Sequence, residues 1–240
     1  TALQSRKVAD STQILKFTGD EFVSEPEVQL AVIMSDLFAE NCFVAHRKGQ
    51  NEAIVVDPGF NPERIIAYLT EKQLVPVALL NTHGHADHIG GNAEIKRSWP
   101  NCPLIIGAGD AIKLTDPVKN LSAGHGVNIL SPAADRVVKE GETVVAAGLE
   151  LEVFEAPGHS SGHVVYLLRK NTPPILFGGD VLFQGSIGRF DLPDGDQQQL
   201  FDSIRTRMYV LPDDTVVIPG HGDPTTIGEE KRTNPYVRAE

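Results

Sequence analysis

Apolar residues in this chain fall mostly into short runs separated by Gly, Pro, Asn and Asp, the punctuation of strands, and only a few stretches show helical spacing. Val28–Met34, Cys42–His46, Ala53–Val56, Val77–Leu80 and Leu104–Ile106 read as strands in the first half. Glu150–Phe154, His163–Leu168, Ile175–Phe177 and Thr215–Ile218 continue the set. Helices are predicted over Pro62–Lys72, opened by Asn61 and Pro62, over Ile89–Ser98, and over Gln197–Met208, where Leu200, Phe201 and Ile204 share a face. Two rounds of strands followed by helices fit an α/β fold, an αβ/βα sandwich with helices outside two sheets. The rhythm permits a pseudo-duplicated core, although no repeat shows in the residues. Residues 1–27 form an N-terminal extension, and residues 28–240 fall within the range of one large domain.

The candidate chemistry lies where predicted strands end. After Leu79-Leu80 comes Asn81-Thr82-His83-Gly84-His85-Ala86-Asp87-His88, and alternating side chains on extended backbone let His83, His85 and Asp87 converge. His88, where the chain turns into a helix, is free to aim at a neighbouring spot, so the block serves two ions. Core packing has no use for three imidazoles and a carboxylate in six residues. His159 in Pro157-Gly158-His159, Asp180 in Gly178-Gly179-Asp180 and His221 in Pro219-Gly220-His221 each follow a strand-like run that gives way to glycine. Imidazole nitrogens and carboxylate oxygens without thiolates suit zinc, iron or manganese.

These residues resemble the H-x-H-x-D-H signature of the metallo-β-lactamase fold, with the later His, Asp and His in that superfamily's order. Gly179-Asp180-Val181-Leu182-Phe183, Gly185-Ser186-Ile187-Gly188-Arg189, Asp191-Leu192-Pro193 and the run from Pro219 to Glu230 are similar to short bacterial glyoxalase II-like hydrolases. The resemblance implies the four-layer αβ/βα sandwich and two divalent metal ions, zinc first, with iron or manganese as alternatives. One ion would be held by His83, His85 and His159, the other by Asp87, His88 and His221, with Asp180 bridging. Asp87 and Asp180 are the carboxylates expected to take part in catalysis, and Asp57, in Val55-Val56-Asp57-Pro58-Gly59, is expected to orient a liganding imidazole. The activity implied is hydrolysis of a small-molecule thioester of the hydroxyacylglutathione type, by attack of a metal-bridging hydroxide. Longer glyoxalase II enzymes carry a further helical region with glutathione contacts, and this chain stops at Glu240. Persulfide dioxygenases are similar through Asn81 to His88 and hold a single iron, here by His83, His159 and Asp180. They give the alternative reading. A β-lactamase or a non-catalytic metal-binding module ranks below both.

Composition narrows the partners. A net charge of −11 and the lack of a basic stripe argue against nucleic acid. The first 27 residues hold no apolar stretch long enough for a signal h-region or a membrane span, and Cys42 and Cys102 make no disulfide framework, so a reducing cytoplasm is the expectation. The glycine-punctuated loop Gln184–Asp196 is expected to border the site, with Arg189 either meeting a substrate carboxylate or pairing with Asp191. Lys231 and Arg232 read as solvated charges, His125 as an exposed loop residue, and His46 and His163 as strand residues outside the ligand set.

Overall fold

The computed structural model describes residues 3–8, 12–17 and 27–238. The strands form two large sheets and one small hairpin. The first runs in sequence order through β1 (Leu3–Val8), β2 (Thr12–Phe17), β3 (Val28–Met34), β4 (Asn41–Arg47), β5 (Glu52–Val56), β6 (Val75–Asn81), β7 (Leu104–Gly107) and β8 (Arg136–Val138). Neighbours are antiparallel up to β5 and parallel from β5 to β8. Of the N-terminal extension assigned to residues 1–27, the backbone of β1 and β2 adds two strands beyond β3, and the rest, apart from Glu27, lies outside the described residues.

The second sheet takes β9 (Thr143–Ala146), β10 (Leu149–Glu155), β11 (Val164–Leu168) and β12 (Ile175–Gly179). A small hairpin of β13 (Leu182–Phe183) and β14 (Ser186–Ile187) follows, and then β15 (Val216–Pro219) and β16 (Thr225–Thr226) return to the sheet in the order β16-β15-β12-β11-β10-β9.

Alternation along each strand divides its side chains between two cores. Phe43, Ile54, Val56 and Leu80 face inward and meet Val153, Tyr166, Phe177 and Ile218 of the other sheet. The Phe43 and Phe177 rings cross edge to face at 5.8 Å between centroids. Val44, Val55 and Leu79 point the other way, onto α1 (Pro62–Glu71) and α3 (Asn92–Ser98) through Ile65, Leu69 and Ile95. Val165, Leu176 and Val217 do the same on the far side, against Leu200 and Ile204 of α4 (Gln197–Ser203) and the π turn that continues it. Three apolar layers between helix, sheet, sheet and helix make the four-layer sandwich.

One helix prediction needs correction. The helix expected over Ile89–Ser98 is two short ones, α2 (Ala86–Ile89) and α3, broken at Gly90-Gly91. A Cβ on Gly91 would come within 2.8 Å of the Gly59 carbonyl, and Gly91 N–H donates to Pro58 O, so this backbone is pressed against the loop after β5. The early start puts Asp87 and His88 inside α2. Asn61 precedes α1 as expected but does not cap it with its side chain; it adopts a left-handed conformation, and its Oδ1 accepts from Asp36 N–H.

The parallel strands β5 and β6 end beside β12 and β15, which places the loops after Val56, Asn81, Gly179 and Pro219 on one rim. Because Phe177 is 1% exposed at the centre of the inter-sheet core, Phe177→Ala should destabilise the fold by about 3–5 kcal/mol, read as a lowered urea midpoint with little change in slope.

Candidate metal centre

All seven predicted ligands arrive at that rim, as three overlapping clusters: His83, His85 and His159; His83, His88 and Asp180; and Asp87, His88 and His221. β6 delivers His83 and His85 from its C-terminal end, α2 turns Asp87 and His88 back over them, and β12 and β15 supply Asp180 and His221. Asp180 lies between the groups: its Oδ2 is 3.6 Å from His159 Nε2 and 3.4 Å from His221 Nε2, and its Oδ1 is 3.4 Å from His88 Nε2. His221 Nε2 is also 3.3 Å from Asp87 Oδ2. His85 Nδ1 and His159 Nε2 stand 2.9 Å apart. A Cβ at Gly220 would collide with Asp180 Oδ1 and lie 2.6 Å from His88 Cε1, so glycine lets the loop after β15 approach this closely.

Hydrogen bonds on the outer side of the rings decide which nitrogen faces the centre. Asp57, 1% exposed, accepts from Thr82 N–H and Thr82 Oγ1–H at 2.7 Å each and from His88 Nδ1–H at 3.2 Å. With its proton given to Asp57, the Thr82 hydroxyl must accept from His83 Nδ1–H, 3.1 Å away. His159 Nδ1–H donates to Arg189 O at 2.8 Å and His221 Nδ1–H to Phe38 O at 3.1 Å. Each of these four rings is therefore left to present Nε2 inward. His83 Nε2, His88 Nε2 and Asp180 Oδ1 are buried without a hydrogen-bond partner, an arrangement that costs stability unless a cation takes them up. The donor set fits divalent metal, and the clustering can bind a dinuclear centre.

The electrostatics divide along the same line. Burial, with neighbouring imidazoles adding to it, pushes His83 well below the ordinary histidine range and His85 down to about 3, so these are neutral donors at pH 7. Burial lowers His88 and His221 too, but the carboxylates of Asp180 and Asp87 outweigh it, raising His88 well above the usual range and His221 to about 10. Burial raises Asp180, yet His88 and His221 hold it well below the carboxylate range. One half of the site thus offers lone pairs directly, and the other holds protons that a metal must displace.

Several supporting residues gave no sequence signal. The fully buried Asp110 ties the two ligand-bearing turns together, accepting Gly84 N–H and Gly162 N–H at 2.8 Å each. Ser160 Oγ–H also donates to it at 2.5 Å. Lys113 Nζ reaches Ser160 Oγ at 2.5 Å, Asp194 Oδ2 at 2.6 Å and Asp110 Oδ1 at 3.2 Å, joining these turns to the Gln184–Asp196 loop. Asn41 Nδ2 donates to Pro219 O and Gly222 O on either side of His221. His163 accepts from Asp180 N–H at 3.1 Å and stacks on His83 with 4.8 Å between ring centroids.

The other predicted residues are placed as follows. Arg189 faces the pocket above the metal centre, but its guanidinium makes a two-point pair with Asp191 at 2.9 and 3.0 Å. Lys231 pairs with Asp213 and Arg232 with Glu229. His125 is exposed at the pocket mouth, edge-on to Phe38, while His46 is buried in β4 and Cys42 and Cys102 are free thiols in the core. Among the described residues no helix is long and apolar enough to cross a membrane.

Fold and site together define a class of metal-dependent protein. The chain belongs to the Metallo-beta-lactamase superfamily, whose family model matches residues 35–221. It is 37% identical over 215 residues to hydroxyacylglutathione hydrolase GloC of Haemophilus influenzae, covering 88% of this chain and 99% of that one. Among solved structures it is similar to the BLEG-1 B3 metallo-beta-lactamase (TM-score 0.83, 36% identity, 87% and 99% covered). TTHA1623 in a di-iron-bound form (0.76, 34%, 86% and 99%) and ETHE1 from Myxococcus xanthus (0.71, 27%, 87% and 84%) are also similar.

Three predictions come from these electrostatics and hydrogen bonds. Zinc binding to the metal-free protein at pH 7 should release protons, seen as a calorimetric enthalpy that changes with buffer ionisation enthalpy, and affinity should fall as pH is lowered. For the metal-free fold, the raised His221 pKa contributes stability that is full below the unfolded value near 6.5 and is lost as pH rises through about 10, so its Tm should drop over that interval. Asp57→Ala, which leaves Thr82 and His88 unpaired, should weaken metal binding about 10–100-fold by competition with a chelator.

Proposed function

We propose that this protein is a metal-dependent thioester hydrolase of the hydroxyacylglutathione type, acting on a small-molecule substrate at the His/Asp centre. The observation that carries the reading is the cluster of Asp87, His88 and His221 beside the one formed by His83, His85 and His159, with Asp180 within reach of both. When bound there, two divalent cations would supply Lewis acidity and lower the pKa of a water from 15.7 in bulk toward about 7. Asp87, His88 and His221 would hold one cation, His83, His85 and His159 the other, and Asp180 would span them. Asp180 and Asp87, both ionised, are the carboxylates able to orient an attacking water, and a thiolate leaves without a strong acid to protonate it. The likeness to GloC supports this choice of reaction.

The likeness to ETHE1 keeps oxygen-dependent persulfide chemistry as the competing reading, for which His83, His159 and Asp180 with one iron would suffice. That reading leaves the second cluster without a task.

S-lactoylglutathione turnover by protein loaded with zinc, manganese or iron should proceed equally with and without oxygen. Inertness toward it, together with oxygen uptake on adding glutathione persulfide to the iron form, would replace the hydrolase by the dioxygenase. Asp180→Ala and His85→Ala should each lose metal and turnover together, by about a hundredfold or more, and full turnover of either purified variant would sink the site assignment.

A further inference from the structure

The cavity over the metal centre has a volume of about 330 Å³, and its floor is made of the candidate ligands. Its walls are different in character: Phe38, Leu121, Phe183, Ile187 and Leu192 supply an apolar surround. Two polar side chains among them, Asn120 and Arg189, already have partners within the protein. Asn120 donates to Lys113 O and Ile129 O and accepts from Ser122 N–H, and Arg189 is held by Asp191. His125 stands exposed at the mouth, against the edge of Phe38. A hydroxyl, amide or carboxylate lodged against the side chains of Phe38, Leu121, Phe183, Ile187 and Leu192 would lose water without gaining a partner, whereas hydrocarbon gains from the transfer.

The backbone adds an independent observation. Phe38 and Leu121 both sit in the left-handed region, at φ +68° and +71°. Bulky side chains rarely adopt this conformation, which Gly or Asn would take at lower cost. Strain of this kind clusters where a site requires a particular side chain. Here both strained residues present apolar groups to the same cavity, from loops more than eighty positions apart.

We propose that the substrate group lodging in this cavity is an uncharged hydrocarbon chain or ring, so that the enzyme favours thioesters of apolar acids over those whose acyl group ends in a charge. The proposal rests on the thioester-hydrolase reading and departs from it at the acyl group, putting a hydrocarbon chain or ring in place of the hydroxyacyl group. The free carboxylic acid is then the product, and its carboxylate would meet the metal centre while its chain lies against the walls.

The test is calorimetric titration of the zinc-loaded protein with acetate, butanoate, hexanoate and adipate. All four share the carboxylate, so differences among them report the walls. Affinity should rise about fourfold for each added methylene, from the roughly 0.8 kcal/mol that each buried CH₂ contributes. Adipate, with a charge where hexanoate has a methyl, should bind much more weakly than hexanoate. Leu121→Asn, which suits the left-handed backbone while making the wall polar, should lower the hexanoate-to-acetate affinity ratio by about fivefold or more. A Kd that changes less than about twofold from acetate to hexanoate, or adipate binding as tightly as hexanoate, would overturn the proposal. Because the readout is binding, a protein inert on thioesters that still shows the chain-length dependence would sink the hydrolase reading and leave the apolar cavity standing.

Discussion

The carboxylate of Asp57 sits almost out of reach of water at the end of β5, and the rest of the centre depends on it being satisfied there. It accepts from the backbone and hydroxyl of Thr82 and from the His88 ring, and through the Thr82 hydroxyl it also fixes the proton on His83. A buried carboxyl group is tolerated only when its oxygens are hydrogen-bonded, so this residue holds the strand end, the block of ligands and helix α2 in one register. Backbone carbonyls of Phe38 and Arg189 do the same for His221 and His159. The centre is thus shaped from behind: donors on its outer side determine which lone pairs remain on its inner side.

A second constraint connects the centre to its surroundings. Asp110 bonds to the turns carrying His83, His85 and His159, and Lys113 extends that connection to Asp194 in the loop that borders the cavity. With three acceptors around its ammonium, Lys113 is satisfied despite being 4% exposed. The position of the cavity wall at Ile187 and Leu192 is coupled to the position of the ligands through this one buried cation. The candidate ligands and the cavity wall thus share one support.

Much of the layered fold could be read from the chain because β-strand alternation is local: Val44, Val55 and Leu79 face one way and Phe43, Ile54 and Leu80 the other in the sequence as in the sheets. The break at Gly90-Gly91 could not, since it answers to the carbonyls of Pro58 and Gly59 more than thirty residues earlier. The same distinction separates Asp57, which the resemblance pointed to, from Asp110, Lys113 and Asn41, whose partners lie on turns far away in sequence. Length alone did not decide which strands could be read: β8 and β16 carry too few residues for a period to show, but β1 and β2, six residues each, were also missed.

What the sequence by itself determined is the inventory of the centre. Four candidate ligands in six residues, and three more after strand ends, are matters of residue type and spacing, and spacing along an extended strand or a first helical turn already sets the direction of a side chain. Only the tertiary structure decided which nitrogen each ring turns inward, how protons are divided between the two halves of the site, and that the cavity above is walled by Phe38, Leu121, Phe183, Ile187 and Leu192. Those properties arise from groups brought together across the chain, where solvent exclusion and hydrogen-bond satisfaction are set by neighbours that no local pattern specifies.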